Sequence, residues 1–483
     1  MDNQLRPPGV RAVWCLGGVS LACVLAGCQG YERVPLDLRA HAAEFEQRAL
    51  QEVPLRDFVA RLAATGAETP EVFDIADGLS PAEGEVLALF YNPDLRLARL
   101  DAGIALANYK TAGLWQDPEF GFDAAEVLSP AGVFEYGLML GLTIPVSGRL
   151  EVEKDRAGAA YEAELRRIVD AEWSLRSQVR SAWADWTAAE ERVRLLTQVI
   201  AQVERITAIT NRLEAAGELT RVESRLIRAE ALSVRADLIA AQQAELDARL
   251  RLLGLMGVLP TDEVNLLAAF PATEPPQVED EVHRLVEFNT ALGVRRVEYQ
   301  LAEEALRLEV RKQYPDITIG GGYGSEDDDR LLLGVSLPIP ALNANRAGIA
   351  DARARRDRAR VAAEVTFENL SRELVAARAA VRAAQQQRAA FETDLVPLLS
   401  EQASEVERIA DLGEVDTLLL LETVTRGFDA RSMLLDLRAS EVKAINELTR
   451  LLGPSFEASP APVQPPQINT TDRTPSKAEE VRP

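Results

Sequence analysis

The side chains that most often perform catalysis or bind metals are scarce in this chain of 483 residues. Its two histidines, His41 and His283, are far apart in the sequence, and neither lies in a recognisable motif. A hydrolytic triad needs a histidine between a nucleophile and a carboxylate, and a zinc site needs closely spaced His or Cys ligands. Neither pattern is found. The sequence therefore predicts that the protein is not an enzyme and has no cofactor or resident metal.

Two short runs look like ligand-binding loops at first sight. Gly320, Gly321 and Gly322 lie within a predicted strand, whereas a phosphate-binding loop lies between a strand and a helix. The acidic residues 326–329 follow the same strand. They could bind a divalent cation at the cell surface, but a solvated loop is the simpler interpretation and the one that we favour.

One cysteine carries a different chemistry. Arg6 and Arg11 precede an apolar stretch that is too short to span a bilayer, which is typical of a signal peptide. The stretch ends in Leu-Ala-Gly-Cys at residues 25–28, which resembles a bacterial lipobox. We predict a lipoprotein signal peptide over residues 1–27 and lipidation of Cys28. The alternative is an ordinary signal peptide with a chance cysteine. Gln29 stands where Asp would retain a lipoprotein in the inner membrane, which favours the outer membrane.

The formal net charge of −23 argues against nucleic acid as a partner. The charge has two interpretations. It can reflect solvated faces of helices, which we favour, or a negatively charged lumen that favours cations. Net charge alone does not distinguish these two cases.

The elements that must position these residues include one very long helix, predicted over residues 147–214. From Leu165 to Val203 its apolar residues recur at alternating intervals of three and four, with a lapse at Glu172. This period of 3.5 predicts a helix that supercoils against neighbouring helices.

A tight turn is predicted where the long helix ends. Gly217 can adopt the left-handed conformation that ends a helix. Thr220 and Glu223 then have the spacing of a capping box. The sequence therefore predicts a second helix that returns alongside the first.

Two stretches change from a helical period to a period of two. Residues 119–127 and 134–144 form one predicted hairpin, with its turn at residues 129–132, and residues 317–324 and 331–339 form another. Over residues 134–144, bulky apolar side chains alternate with small or polar ones for the length of a transmembrane strand. The alternative is a soluble, half-buried hairpin, which would show the same alternation.

The order of elements occurs twice, at an offset of about 195 residues. The matching positions include Asn92 with Asn289, Gly217 with Gly413, and Gly254 with Gly453. We therefore divide the chain into a signal peptide (residues 1–27), an N-terminal extension along the outside of the body (28–79), a first repeat (80–259), a linker (260–282), a second repeat (283–453) and a disordered tail (454–483).

Helix lengths agree with this duplication. In each copy, the helix before the hairpin and the returning helix together have about as many residues as the long helix. The helix before the hairpin extends to about Leu114 in the first copy and over residues 283–313 in the second. Two short helices are thus predicted to stack end to end beside each long helix, over about 100 Å. Pro397 lies inside the second long helix and is predicted to kink it. The first long helix has no proline, so the two halves are expected to bend differently.

A lipobox followed by two copies of the order hairpin, long helix, tip and returning helix resembles the TolC-type outer-membrane efflux proteins, over about residues 80–454. The resemblance implies a mainly α-helical fold with a transmembrane β-barrel portion. Three chains would form a twelve-stranded barrel and a periplasmic α-helical tunnel, anchored by lipid in the bacterial outer membrane. Residues 395–399 and 412–419 are most similar to the branch that serves heavy-metal and other cation exporters.

The resemblance implies the exit duct of a tripartite efflux pump. Its partners would be two further copies of the chain, a periplasmic adaptor (membrane fusion) protein, an inner-membrane transporter of the RND type and outer-membrane lipid. The alternatives are a lipid-anchored periplasmic coiled-coil scaffold without a pore and an exit duct for type I protein secretion. A passive duct carries little information about its cargo, so metals, drugs and polypeptides all stay open.

The resemblance also assigns residues near the tips. The tip residues that would contact the adaptor are Gly217, Glu218, Leu219 and Thr220 in the first copy and Gly413, Glu414, Val415 and Asp416 in the second. These residues can equally be helix breaks and caps, and both roles are compatible. Glu422 stands where the family often narrows its tunnel with acidic residues, but Leu419 stands where a first acid is expected. A tunnel constriction at Glu422 and a solvated Glu422 are the two alternatives.

Overall fold

The structure, a computed structural model, describes most of the chain. The described residues are 30–31, 33–46, 52–64, 70, 73–74, 77–126, 134–260, 264–272, 274–326, 328–411 and 416–454. Several predicted features lie outside the described residues, namely the signal peptide with Cys28, the turn at residues 129–132, the tip residues Gly413, Glu414 and Val415, and the tail beyond Pro454.

The chain divides into two compact units, Met1–Arg48 and Ala49–Pro483. In the first unit, the Asp37 side chain accepts hydrogen bonds from the N–H groups of Arg39 and Ala40, at the start of helix α1 (Leu38–Glu46). An aspartate in this position satisfies N–H groups that have no partner within the helix. All other described elements belong to the second unit.

In the second unit, α2 (Glu52–Ala64) is followed by two copies of one order of elements. The first copy comprises α3 (Pro81–Tyr91), α4 (Pro93–Thr111), β1 (Glu119–Glu126), β2 (Phe134–Ile144), α5 (Arg149–Ala216) and α6 (Arg221–Met256). The second comprises α7 (Glu281–Phe288), α8 (Thr290–Arg311), β3 (Ile317–Glu326), β4 (Asp328–Ser336), α9 (Arg346–Ala389), a π-helical segment (Ala390–Leu395), α10 (Val396–Asp411) and α11 (Thr417–Leu452). The predicted duplication of elements is confirmed.

The helix predicted before each hairpin is in fact two helices. Asn92 separates α3 from α4, and its side chain accepts hydrogen bonds from the N–H groups of Asp94 and Leu95. Asn289 separates α7 from α8 and accepts from the N–H of Leu292 in the same way. Both asparagines therefore act as caps that start a new helix.

Each of these asparagines also fastens its helix to the end of the returning helix. The Asn92 amide donates to the carbonyl of Leu255 at 3.0 Å, and the Asn289 amide donates to that of Leu451 at 2.8 Å. Both asparagines are buried, so loss of the bond would leave an unsatisfied polar group. The end-to-end stacking predicted from helix lengths is confirmed, since α3, α4 and α6 have 11, 19 and 36 residues beside the 68 of α5.

Gly257 ends α6, and it takes the place that Gly453 has in the second copy, whereas the comparison of the two sequences matched Gly453 with Gly254. Gly257 has a φ of 67°, and Gly453, at the end of α11, has a φ of 74°. A Cβ atom on Gly257 would meet the carbonyl oxygen of Tyr91, and one on Gly453 would overlap that of Phe288. Glycine is needed at both junctions because the backbone of the stacked helix comes this close.

The long helix α5 lies at the centre of the second unit, against α3, α4, α6, α8 and α11. Its predicted apolar seam is buried at Leu175, Val179, Ala182, Trp186, Leu196 and Val203. Glu172, which interrupts the apolar pattern, has an ion-pair partner, because Arg99 of α4 donates to its carboxylate at 2.8 Å. Arg99 is itself buried, so this ion pair takes the place of an apolar contact in the seam.

The prediction that residues before α3 lie along the outside of the body is wrong for α2. Leu55, Phe58 and Leu62 are buried in the same core as α3 and α5, and the rings of Phe58 and Phe90 lie 5.2 Å apart. These apolar residues recur at the spacing of one helix face, which requires a partner surface.

The segment between the repeats is also packed rather than a free linker. Leu266 forms a parallel bridge with Leu79, directly before α3. The indole of Trp183 donates to the carbonyl of Leu267 at 3.1 Å. This segment therefore contributes backbone acceptors to the core of the first copy.

The second long helix does contain a break near Pro397, and it takes the form of a π-helical segment. The N–H of Val396 donates to the carbonyl of Phe391, five residues earlier, instead of four. Because proline has no N–H and its ring crowds the preceding turn, an inserted residue in that turn relieves the clash. The predicted kink at Pro397 stays a prediction, and the change that the structure shows is in the hydrogen bonding of the preceding turn.

The four strands form one antiparallel sheet in the order β1-β2-β3-β4. β4 ends at Ser336, so Leu337 and Ile339 lie beyond the strand that was predicted to include them. The acidic run is not a separate loop either. Glu326 pairs with Asp328 and Ser325 with Asp329 within the ladder, so these four residues belong to β3 and β4.

Candidate functional site

One face of the sheet is apolar across all four strands. The pairing Phe122 with Leu138, Leu138 with Tyr323 and Tyr323 with Leu331 places these side chains on the same face. The other large apolar residues of this face are Phe120, Phe134, Tyr136, Leu140, Leu142, Ile144, Ile317, Ile319, Leu333 and Val335. Most are exposed in the single chain. Such a continuous exposed apolar face requires a nonaqueous partner.

The opposite face is made mostly of small and polar residues, with Met139 and Leu332 as its exposed large apolar side chains. Its glycines are Gly121, Gly137, Gly141, Gly320, Gly322, Gly324 and Gly334. The hydroxyl groups of Thr143 and Thr318 are hydrogen-bonded at 3.1 Å. The carboxylate of Asp123 lies over Gly137, 2.7 Å from where a Cβ atom would stand. This face has room for water and carries Glu119, Asp123 and Glu135, so it can line an aqueous passage.

The sheet has two edges, β1 and β4, because each pairs with one strand only among the described residues. Edges with free N–H and carbonyl groups are not tolerated in lipid. A sheet of this kind therefore needs further strands to close it. No helix among the described residues is both long and apolar enough to cross a membrane.

The first tip is ordered by its own hydrogen bonds. Gly217 has a φ of 79°, and its N–H donates to carbonyl groups at the end of α5. The Thr220 side chain accepts from the N–H of Glu223, and the Glu223 carboxylate accepts from Thr220 in return. These bonds from Thr220 hold the pKa of Glu223 below its ordinary value. Glu218 and Thr220 are exposed and Leu219 is half-buried, so the tip presents a fixed polar turn.

The structure describes only one residue of the second predicted tip. The side chain of Asp416 accepts from the N–H groups of Leu418 and Leu419, both at 3.1 Å, at the start of α11. Asp416 therefore acts as a helix cap, as Thr220 does in the first copy. The adaptor-contact role of both tips stays a prediction.

Glu422 lies on α11 one turn beyond the second tip. Its carboxylate is 2.5 Å from the guanidinium of Arg426, and its side chain is 56 % exposed. The neighbouring Leu419 is also exposed. An exposed pair of this kind contributes little to stability. The predicted tunnel constriction at Glu422 therefore stays a prediction, and the sequence did not anticipate the Arg426 partner.

An ion-pair cluster at the π-helical segment was not predicted. Glu392 in this segment accepts from Arg438 of α11 at 2.6 Å and pairs with Arg388 of α9, while Arg388 also pairs with Glu441. The hydrogen bond from Arg438 and the charge of both arginines hold the pKa of Glu392 below its ordinary value. The signal in the sequence was Arg388 and Glu392 four residues apart, directly before Pro397.

Metal ligands are not gathered anywhere in the part of the chain that the structure describes. No group of three or more His, Cys, Asp or Glu side chains there could hold a metal ion. His283 contributes its backbone N–H to the Asp280 cap of α7. The described residues that could serve a function are therefore those of the sheet, the tips and the helix surfaces.

Comparison with known proteins gives matches in sequence and in fold. Residues 86–258 match the family model described as outer membrane efflux protein. The chain is 22 % identical over 321 residues to the cobalt-zinc-cadmium resistance protein CzcC of Cupriavidus metallidurans, which covers 65 % of this chain and 76 % of the relative.

The fold is shared with solved outer-membrane channels. The CmeC channel of Campylobacter jejuni has a TM-score of 0.69 at 15 % identity, over 89 % of this chain and 94 % of CmeC. The MtrE channel of Neisseria gonorrhoeae has a TM-score of 0.66 at 20 % identity, over 80 % and 96 %. CusC has a TM-score of 0.64 at 18 % identity, over 80 % and 98 %.

The sequence match covers α3 to α6, and the shared fold extends over both copies. The sheet, with its apolar and small-residue faces, agrees with a channel wall. Residues 86–258 of the chain therefore resemble the outer membrane efflux proteins in sequence, and the chain has the fold of the TolC-type outer-membrane channels.

Proposed function

We propose that this protein is the exit duct of a tripartite pump that exports divalent metal cations. An exit duct passes solutes outward from a transporter that lies in another membrane. The observation that carries the proposal is the sheet, because its apolar face suits lipid and its glycine-rich face suits a water-filled lumen. A periplasmic scaffold would not need a sheet with one face suited to lipid and the other suited to water.

The duct would be a trimer. Joining β4 of one chain to β1 of the next in three copies gives twelve strands and leaves no free edge. The exposed apolar residues of α6 support the same assembly, because their spacing suits packing against a neighbouring helix. These residues are Val222, Leu226, Leu232, Ile239, Leu246 and Leu250.

The tips would contact a periplasmic adaptor protein, which links the duct to an inner-membrane transporter of the RND type. The first tip (Gly217, Glu218, Leu219, Thr220) supports this role, since its fixed conformation lowers the entropy lost on docking. The second tip, including Asp416, would dock in the same way. Lipid on Cys28 would anchor each chain in the outer membrane.

Two observations favour a cation as the cargo. The relative CzcC is named for resistance to cobalt, zinc and cadmium. The glycine-rich face carries the carboxylates of Glu119, Asp123 and Glu135. These three carboxylates outnumber Arg330, which lies on the same face, and an excess of one sign of charge raises the local concentration of the opposite ion. The cation would cross as a solute and would not be held at a coordinated site.

The experiment is a deletion of the gene, followed by growth on cobalt, zinc and cadmium salts and on a panel of hydrophobic drugs. We expect sensitivity to the metals alone, with full rescue by the wild-type gene. Sensitivity to drugs alone would contradict a metal-specific duct, and loss of a secreted polypeptide would favour a type I secretion duct.

The scaffold alternative is tested by the protein itself. A heat-sensitive trimer extracted from outer membranes, rich in both helix and strand, supports the duct. A soluble and wholly helical species after removal of the lipid would contradict it.

A further inference from the structure

The two copies of the repeat differ where the sheet passes into the long helix. Residues 145–148 join β2 to α5, whereas the longer segment 337–345 joins β4 to α9. We name residues 337–345 the apolar connection, because its three large side chains are Leu337, Ile339 and Leu342. All three are exposed, and Leu342 reaches 96 %. Exposure of this degree at three apolar residues calls for a partner.

The apolar connection extends the apolar face of the sheet. The residues that share the period of two along this stretch are Leu331, Leu333, Val335, Leu337 and Ile339. Pro338 and Pro340 alternate with them. Proline has no N–H, so it ends the ladder, and it keeps the preceding residue extended. The surface that the sheet presents to lipid therefore continues beyond the last paired residue of β4.

The far end of the apolar connection is fastened to α8. Ala344 and Asn345 have φ angles of 45° and 51°, which non-glycine residues rarely adopt. The Asn345 amide donates to the carbonyl of Glu309 at 2.9 Å and to its carboxylate at 2.7 Å. In the first copy, Gly148 takes the corresponding left-handed position without strain. The apolar connection is therefore fixed to α8 at its C-terminal end.

Positive charge begins directly after the apolar connection. Arg346 is the first residue of α9, and Arg353 lies two turns further on the same face, roughly 10 Å along the axis. Both are exposed, and neither has an ion pair with any residue that the structure describes. The contrast with the first copy is direct, because Arg149 at the start of α5 pairs with Asp316 at 2.7 Å.

We propose that the apolar connection, Arg346 and Arg353 form a binding surface for anionic phospholipid in the periplasmic leaflet of the outer membrane. The apolar side chains insert among the acyl chains, and the two guanidinium groups bind headgroup phosphates. The inference rests on the proposed function, since it requires the sheet to span the membrane.

The order of apolar and charged side chains along this surface favours lipid over a second copy of the chain as the binding partner. From the sheet towards α9, the surface changes from apolar to positively charged, which matches the order of acyl chain and phosphate in a leaflet. A second copy would pair with β4 through the strand edge, whereas these side chains continue the face of the sheet.

The first test places a photo-crosslinking amino acid, p-benzoylphenylalanine, at position 342, 333 or 222 of the full-length chain in cells. Adducts are identified by mass spectrometry. We expect phospholipid adducts at positions 333 and 342 and none at position 222, beside the first tip. If position 333 gives no lipid adduct, the membrane-spanning sheet of the proposed function fails together with this inference.

If position 333 gives lipid but position 342 gives a chain dimer, another protein or no adduct, only the lipid-binding surface is overturned. These outcomes separate the two proposals, because position 333 reports on the sheet and position 342 reports on the apolar connection.

The second test measures headgroup selectivity. Purified full-length protein is exposed to mixed micelles of phosphatidylglycerol and phosphatidylcholine, and the retained lipids are counted by native mass spectrometry. The double variant R346Q/R353Q should lower the ratio of retained phosphatidylglycerol to phosphatidylcholine at least about fivefold. Arg156→Gln is the matched control, because it removes an exposed arginine two turns into α5. An unchanged ratio, or an equal drop in the control, would overturn the role of the arginines.

Discussion

The two long helices of the molecule are held in different ways. α5 continues for 68 residues and buries Trp183 and Trp186 in its core. Its counterpart is interrupted by the π-helical segment, in which the structure has no buried residue. Packing fixes the first helix, whereas the break in the second is held by Glu392, Arg388 and Arg438.

A cavity of about 80 Å³ lies beside this break, lined by residues of α5, α10 and α11 that include Val199, Val396 and Phe428. Closely packed interiors resist deformation, whereas partly exposed ion pairs are weak. We infer from this comparison that the long helix of the first copy is rigid. Bending of the molecule should therefore occur mainly in the long helix of the second copy. Four predictions test this difference, from the largest effect to the smallest.

Replacing Trp183 by alanine should have the largest effect. The side chain is fully buried, and its indole donates to the carbonyl of Leu267, so truncation leaves a cavity and removes this hydrogen bond. We expect a loss of about 3–5 kcal/mol in the free energy of unfolding, measured by urea denaturation of the full-length protein in detergent. The control Val375→Ala, at an exposed position of α9, should change it by less than about 0.5 kcal/mol. A similar loss in both variants would contradict the comparison.

Alanine at the two helix junctions should be the next most harmful. Gly453 has φ 74° and ψ 175°, a region open to glycine alone, whereas Gly257 has φ 67° and ψ 27°. We expect Gly453→Ala to cost about 3 kcal/mol and Gly257→Ala about 2 kcal/mol, since both also meet a carbonyl oxygen.

Gly254→Ala is the control for both junction variants. Nothing lies within 4 Å of its Cβ position, so this variant should gain about 0.5–1 kcal/mol. A harmless Gly453→Ala would show that the junction of α7 with α11 is loose. Thermal unfolding followed by circular dichroism measures all three variants.

The ion pairs at the π-helical segment should have a moderate, pH-dependent effect. The Arg438 and Arg388 partners lower the pKa of Glu392, so its contribution is present above the unfolded pKa of about 4.3 and disappears as the pH falls through the folded pKa. At pH 7, Glu392→Gln should cost about 0.5–1 kcal/mol, a value reduced for its partial exposure.

Once the pH lies below the folded pKa of Glu392, the wild type and Glu392→Gln should have converged in unfolding free energy. Glu401→Gln, on an exposed face of α10, serves as the control and should match the wild type throughout. A difference between wild type and Glu392→Gln that does not change with pH would rule out the ion pairs as its cause.

Filling the cavity beside the break should have the smallest effect. Gly427 of α11 lines the cavity, and nothing lies within 4 Å of its Cβ position. Gly427→Ala should raise the free energy of unfolding by about 0.5–1 kcal/mol, through helix propensity and added contact. Hydrogen exchange of α10 and α11 should slow, while that of α5 stays unchanged. Slower exchange in α5 as well would contradict a flexibility confined to the second copy.

The sequence predicted those parts of the fold that depend on periodicity. The seam of α5, the alternation in β2 and the Gly217 tip all follow local rules that a short window contains. The duplication could be predicted from the same rules, because helical and strand periodicities follow one another in the same order in each copy.

The missed features depend on contacts between distant residues. Asn92 and Asn289 were recognised only as matching positions of the two copies, and their bonds to Leu255 and Leu451 require the returning helix to be in place. The partner of Glu172 is Arg99, on another helix. No pattern within one helix contains such a pair, so the lapse in the seam could be seen but not explained.

The most direct test of the exit duct is the metal retained by cells. Cobalt, zinc and cadmium are measured by mass spectrometry in a deletion strain that carries either the wild-type gene or the variant Leu333→Arg. An arginine on the lipid face costs about 2–4 kcal/mol near the bilayer centre, so the helices persist while insertion of the sheet fails. We predict that the wild type restores low metal content and that the variant retains metal like the deletion. Equal metal content in the deletion strain and the wild type would contradict a duct for metal cations.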